Sequence, residues 1–238
     1  MLKSVFFDLD GTLLPMDEKK FTDFYFEMLF QKVKSHGYQK DTLIETIWKG
    51  TYLMYKNNGE ETNEEVFWHY FKSIYGEKGL ADKALFDDFY QHEFAKAKEV
   101  CGDNPLAKEI VSFAKKLTGG AVLSTNPIFP KVGTKTRMGF VSLEESDFDY
   151  VTTYENCSYS KPNPLYFTSI LQHLSLQPEE VILFGNNDYE DYACAKTAGI
   201  DCYLTGNLIL HPDKDIQCPI IKMDEIMSVI EKEYEKRK

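Results

Sequence analysis

Long apolar runs are missing from this chain of 238 residues. No stretch approaches the ~18 consecutive apolar residues of a bilayer span, so no membrane partner is expected. Basic residues are also short: 27 Lys and Arg stand against 38 Asp and Glu, a formal net charge of −11. Nucleic acid is therefore not an expected partner, because phosphate-backbone binding draws on clustered cations. The same acidity would repel an anionic substrate unless a bound cation reversed the local sign. Paired cysteines are lacking too. The five, Cys101, Cys157, Cys194, Cys202 and Cys218, form an odd set without C-x-x-C spacing, which argues against a disulfide framework or a zinc site. They suit a reducing compartment. With the first strand starting almost at Met1, a cytoplasmic location is expected. His36, His69, His92, His173 and His211 show no metal-ligand spacing. Internal repeats and low-complexity segments are absent as well.

What remains is the composition of a globular protein, 43% apolar and 27% charged, long enough for one large domain or a core with a smaller insert. The most informative stretch comes first: Lys3-Ser4-Val5-Phe6-Phe7-Asp8-Leu9-Asp10-Gly11-Thr12-Leu13-Leu14. A short continuous apolar run bounded by a turn reads as a strand buried on both faces of a parallel sheet. Two acids do not belong inside such a strand. At its carboxyl end they would project into the crevice where open α/β sheets bind ligands. Alternation along the strand would point Asp8 and Asp10 to one side, and Gly11 would let the backbone turn and approach a ligand closely.

From about Asp17 to Lys98 only helical periodicity is found. Phe21, Phe24, Tyr25, Met28, Leu29 and Val33 share one helix face that ends near Gly37. Further helices are expected over about Asp41–Asn57, from the capping-box pair Thr62 and Glu65 to Gly76, and over Asp82–Lys98. From Gly102 onward helices and strands alternate, with strands at Ala121–Leu123, Tyr150–Thr153, Val181–Phe184, Cys202–Leu204 and Pro219–Ile221. Repeated αβ units mean a doubly wound parallel, Rossmann-like sheet. The expected fold class is therefore α/β, with residues 1–15 and 101–238 as the core and 16–100 inserted as an all-α helical cap domain.

Functional residues of such a sheet sit where strands end. The second strand ends Ser124-Thr125-Asn126-Pro127, polar groups and free N–H donors that suit a phosphoryl oxygen. Lys161 precedes Pro162-Asn163-Pro164, a turn stiff enough to hold an ammonium near the two carboxylates. The fourth strand runs into Gly185-Asn186-Asn187-Asp188-Tyr189-Glu190-Asp191. Acids there either favour a helix N-terminus or complete an oxygen cage for Mg2+.

These four stations, in this order, resemble the motifs of the haloacid dehalogenase-like (HAD) superfamily, and an insert directly after the first is where its capped members carry one. The resemblance implies a Mg2+-dependent phosphomonoester hydrolase acting on a small phosphorylated metabolite. It makes Asp8 the nucleophile and Asp10 the acid and base. It gives Thr125 and Lys161 the phosphoryl group, and places Gly11, Thr12 and Asn126 at the substrate. Mg2+ falls to Asp8, the Asp10 backbone carbonyl, Asn186 and Asp191. One position departs from the pattern: Asn186 stands where the family carries an aspartate, so a neutral oxygen replaces a charged one. A sugar-phosphate mutase of the same family and a non-catalytic phosphate binder are the rival readings. A dehalogenase is disfavoured because that chemistry has no use for Asp10.

Overall fold

The computed structural model describes residues 1–206, 208–210 and 218–238. A parallel five-stranded sheet has the order β3-β2-β1-β4-β5, from β1 (Ser4–Phe7), β2 (Ala121–Leu123), β3 (Tyr150–Val151), β4 (Val181–Gly185) and β5 (Asp201–Leu204). β1 is central and wholly buried, as its unbroken apolar run requires. Val5 and Phe7 face a core shared with α5 (Ala107–Thr118) and α9 (Ile226–Lys236). Phe6 faces the opposite core, with α7 (Leu165–Leu174) and α8 (Cys194–Thr197). α5 shows why a helix packs there: Ala107, Ile110, Val111 and Ala114 form a buried stripe at helical spacing.

Phe7 pairs in register with Leu123 on one side and Phe184 on the other. All three strands therefore end level. The chain leaves β1 for β2 on one flank and later crosses to β4 on the other, so the carboxyl ends of β1 and β4 flank a topological switch point.

Between β1 and α5 lie α1 (Glu18–Val33), α2 (Lys40–Tyr55), α3 (Asn63–Ala81), α4 (Lys83–His92) and a 3-10 turn, Phe94–Val100. Thr62 and Glu65 form the expected capping box. These helices bury an aromatic cluster that includes Phe21, Tyr25, Trp68, Phe71 and Phe89, with Tyr154 from the core side. The two segments that lead into and out of them run side by side. Met16 bridges Cys101 in antiparallel fashion, and Gly102 N donates to Pro15 O at 2.7 Å.

Several boundaries differ from the sequence expectations. β1 ends at Phe7, and the chain turns at once: Leu9 O accepts from Thr12 N and Leu14 N. Asp8 and Asp10 thus reach their cleft by a turn, not by strand alternation. α3 runs past Gly76, where φ of 65° kinks it. α4 stops at His92, and Phe94 turns fully into the aromatic core. β3 ends at Val151 because its only neighbour, β2, ends at Leu123. Pro219–Ile221 is not a strand. It makes a single bridge, Ile220 to Leu204, where Pro219 has no N–H to extend the ladder. Tyr189–Ala198 is a π-turn, Asp188–Ala193, followed by α8.

The helical layer is fastened to the sheet side by Asn63, which is fully buried. Its Nδ2 donates to Pro127 O and Ser160 Oγ, both at 3.0 Å, and its Oδ1 accepts from Asn57 Nδ2 at 2.9 Å. Asn63→Ala would leave these buried partners unmet, at about 1–3 kcal/mol. Urea unfolding of the variant should show that loss, and a change below about 0.5 kcal/mol would show that Asn63 does not fasten the layer.

Candidate active site

Four loops meet at the carboxyl ends of the strands. Asp8 follows β1 directly, and its N–H donates to Phe184 O at 2.9 Å, which locks it at the level of β4. One carboxylate oxygen accepts from Lys161 Nζ at 2.8 Å and the other from Thr12 Oγ1 at 3.0 Å. Each carboxylate oxygen has two lone pairs, so both remain able to attack or ligate. Gly11 has φ of 81°, and a Cβ there would lie 2.1 Å from Asn186 Nδ2. Only glycine lets the first loop pack on the fourth so closely.

Lys161 is buried and spans two acids. Its Nζ also donates to Asp191 Oδ1 at 2.6 Å. Asp191 Oδ2 accepts from the backbone N–H groups of Asn186 and Asn187, at 3.0 and 3.1 Å. A Cβ on Gly185 would sit 2.4 Å from the Asp191 carboxylate, so this inward fold of the acid depends on that glycine. Asp191 accordingly anchors both Lys161 and its own loop, with each oxygen already engaged. Asn187 Oδ1 caps the following turn by accepting from Tyr189 N and Glu190 N. Asn186 lines the cleft; its Nδ2 donates to Leu208 O at 3.1 Å, which turns its Oδ1 away from that carbonyl. Asp188 is buried but does not line the cleft.

Thr125 lies at the end of β2, its backbone carbonyl held by Thr152 Oγ1 at 2.7 Å and Tyr166 Oη at 2.8 Å. Its hydroxyl makes no hydrogen bond to a described residue. Asn126 Nδ2 donates to Glu190 Oε2 at 3.0 Å, and Asn126 Oδ1 is buried without a partner. Ser124 plays a structural part instead: its Oγ donates to Phe7 O.

Of the expected residues, Asp8, Asp10, Thr125, Asn126, Lys161, Asn186 and Asp191 line one cleft. Gly11 and Thr12 stand behind it, shaping the loop and holding Asp8. Three residues that sequence reading missed also line it: Glu18, Arg137 and Glu190. Arg137, on α6 (Lys131–Gly139), has no solvent exposure. Its Nη1 lies 3.0 Å from Asp10 Oδ2, and its guanidinium stacks 4.1 Å from the Phe129 ring centroid. In sequence it is one cation in a mixed helix, with no motif to flag it. Glu190 was visible in the acidic turn, yet nothing in its spacing pointed it inward. None of His36, His69, His92 and His173 lines the cleft; His211 lies outside the described residues.

The cleft is short of positive charge, with five carboxylates against Lys161 and Arg137. Burial, with Asp191 adding and Lys161 opposing, pushes Asp8 up to about 7. Burial raises Glu190 to about 7 also, against the pull of Lys161. Asp10 is raised by burial against the opposing Arg137, and Glu18 by burial and then by Asp10 and Asp191. Burial alone would lower Lys161, but Asp191 and Asp8 outweigh it and keep the ammonium well above its ordinary value. An excess of buried anionic oxygen of this kind attracts a cation.

A model of the haloacid dehalogenase-like hydrolases matches residues 2–199. The chain belongs to that family. Among its relatives, glyceraldehyde 3-phosphate phosphatase of Pyrococcus abyssi is 24% identical over 208 residues, covering 84% of this chain and 79% of that protein. Pyrophosphatase PpaX of Bacillus cereus is 23% identical over 233 residues, covering 96% of each. In fold it is similar to a HAD phosphatase from Thermococcus onnurineus, with TM-score 0.60, 18% identity, and coverage of 96% of this chain and 98% of that one. L-2-haloacid dehalogenase of Xanthobacter autotrophicus is similar too, with TM-score 0.59, 15% identity, and coverage of 97% and 99%. The HAD-like α/β fold is thus established, and the chain is an enzyme of that hydrolase family. Among the described residues no helix is long and apolar enough to cross a membrane.

Removing the central cation tests the ion cluster. Lys161→Met leaves Asp8 and Asp191 buried and facing each other, which should cost about 3–5 kcal/mol. Adding Asp191→Asn to that variant should recover part of the loss, since contacting residues couple. Urea unfolding of the two single variants and the double one measures it. Strict additivity would contradict a shared cluster.

Proposed function

We propose that this chain is a Mg2+-dependent phosphomonoester hydrolase, acting through an aspartyl phosphate on Asp8. The supporting observation is that Asp8, oriented by Lys161 and Thr12, shares a cleft with Asp10, whose Oδ1 is buried and without a partner. In the first step an Asp8 oxygen bonds to phosphorus, the bond from phosphorus to the ester oxygen breaks, and Asp10 gives that oxygen a proton. Burial raises Asp10, which suits it to enter protonated. In the second step Asp10 takes a proton from water as the water attacks phosphorus, and the bond to Asp8 breaks. Phosphate and a free alcohol leave, and both carboxyl groups return to their starting states. Lys161 balances charge on the transferring group, with Thr125 and Asn126 offered to its oxygens, as charge neutralisation and positioning dominate such transfers.

The residues fit a hard divalent cation. Asp8 carboxylate, Asp10 backbone carbonyl and Asn186 Oδ1 are oxygen donors with few charges, as Mg2+ prefers. Asp191 Oδ2 already accepts two backbone N–H groups, while Oδ1, which accepts from Lys161, keeps a lone pair for the ion, so Asp191 positions Lys161 and stays in the candidate ligand set. When bound, Mg2+ would neutralise charge on the phosphoryl group and the surplus of the acids.

Residues 16–100 serve in this reading as a cap that excludes water from the core of 1–15 and 101–238. The support is their aromatic cluster and the paired crossings at Met16 and Cys101. The substrate is a small phosphorylated metabolite. A cytoplasmic setting is supported by five free cysteines.

Release of inorganic phosphate from an aryl phosphate separates this reading from a mutase and a binder. Asp8→Asn should abolish it with the fold intact, and Asp10→Asn should slow it by roughly 10^2 to 10^4. Retention of a tenth of the activity in Asp8→Asn would remove the nucleophile. Asn186→Asp adds a charge beside the cation and should lower the Mg2+ concentration giving half-maximal activity, at about 1 kcal/mol or more. The same change sets a carboxylate against Leu208 O, so the metal-free variant should melt earlier than wild type. An unchanged or higher Mg2+ requirement would take Asn186 out of the ligand set.

A further inference from the structure

A second cavity of about 110 Å³ lies between the helical layer and the sheet side. It is continuous with the phosphoryl cleft: Phe21, Thr22, Trp48, Ile128 and Phe129 line both. Away from that junction its walls are aromatic, from Tyr25, Phe67, Trp68, Phe86 and Tyr90. Their polar edges are turned to one another. Tyr25 and Tyr90 hydroxyls bond at 2.8 Å, and Trp68 Nε1 donates to Tyr154 Oη at 3.3 Å. Among the described residues no Lys, Arg or His lines the cavity, and Asp87 is the one charged group that does. Asp87, on α4, is half-buried and makes no hydrogen bond or ion pair with a described residue. Burial raises its carboxyl above the usual range.

We infer that the esterified alcohol of the substrate is ring-bearing, that its ring occupies this aromatic cavity, and that an amine or other hydrogen-bond donor on it meets Asp87. This rests on the phosphatase reading, which places the phosphoryl group at Asp8 and so sends the leaving group into the adjoining space. Flat aromatic walls suit a ring. Cationic groups are attracted to aromatic faces and to Asp87. A second carboxylate or phosphate would meet that acid, offset only in part by Lys83, which is itself paired with Glu64, so short anionic esters are selected against.

Three probe esters test this with the Mg2+-loaded full chain: 4-(aminomethyl)benzyl phosphate, phenyl phosphate and phosphoglycolate. The amine-bearing ring ester should exceed phosphoglycolate in kcat/KM by about tenfold or more, and Asp87→Asn should lower it about tenfold while phenyl phosphate changes less than about twofold. A second readout needs no turnover. Trp48 and Trp68 are the chain's two tryptophans, and both line the cavity. Titration with 4-(aminomethyl)benzyl alcohol should therefore change tryptophan fluorescence saturably. Equal or better use of phosphoglycolate, no selective effect of Asp87→Asn, or no saturable fluorescence change would each overturn the inference. Equal or better hydrolysis of phosphoglycolate that depends on Asp8 would do so while leaving the phosphatase reading standing. Saturable fluorescence without hydrolysis of any ester would do the reverse, keeping the ring site and ending the phosphatase reading.

Discussion

The buried ammonium of Lys161, held between Asp8 and Asp191, is the interaction on which the rest of the site depends. It ties the loop after β1 to the loops after β3 and β4. Without it two carboxylates would share a low-dielectric space, where their repulsion is large. With it, Asp8 keeps a fixed direction, and the loop of Asn186 and Asn187 is drawn inward through Asp191. The sheet supplies the level platform, since β1, β2 and β4 end in one row. The platform alone would not aim a carboxylate.

A parallel arrangement serves the second acid. Arg137, sealed under Phe129, stands beside Asp10, and it belongs to a different helix from every group that touches Asp8. The two acids therefore share a cleft but not a hydrogen-bond partner; Lys161 opposes burial at Asp8, and Arg137, with a smaller part from Lys161, opposes it at Asp10. Five carboxylates against two cations still leave the cleft negative. That surplus accords with the proposed divalent cation, and it explains how a chain of net charge −11 could receive a phosphate ester at all.

Much of this was legible in the residues. Asp8-Leu9-Asp10-Gly11-Thr12 announced itself because acids at the end of an apolar strand have no packing reason to be there. Lys161 followed from its place before two prolines, and the alternation of αβ units fixed the doubly wound sheet. Other parts were not legible, each for a physical reason. Arg137 does its work through tertiary neighbours, and a lone arginine on a mixed helix carries no periodic mark. Asp191 was expected at a metal, and its link to Lys161 could not be foreseen, because spacing records only that an acid is present. Its direction is decided by two backbone N–H groups and by the lack of a Cβ on Gly185, neither of which spacing encodes. Strand ends were misjudged at Thr152, where the end of β2 at Leu123 stops the ladder, and at Ile220, where Pro219 has no N–H to extend a single bridge.

The central claim is that Asp8 itself carries the phosphoryl group during turnover. It is tested most directly by stopping the reaction with acid during steady turnover of an aryl phosphate, reducing with borohydride, and mapping the peptides by mass spectrometry. An acyl phosphate is reduced to the alcohol, so an aspartyl phosphate at position 8 should appear as homoserine there and nowhere else. Unmodified Asp8 throughout turnover, or a phosphoryl group found on another side chain, would contradict the account.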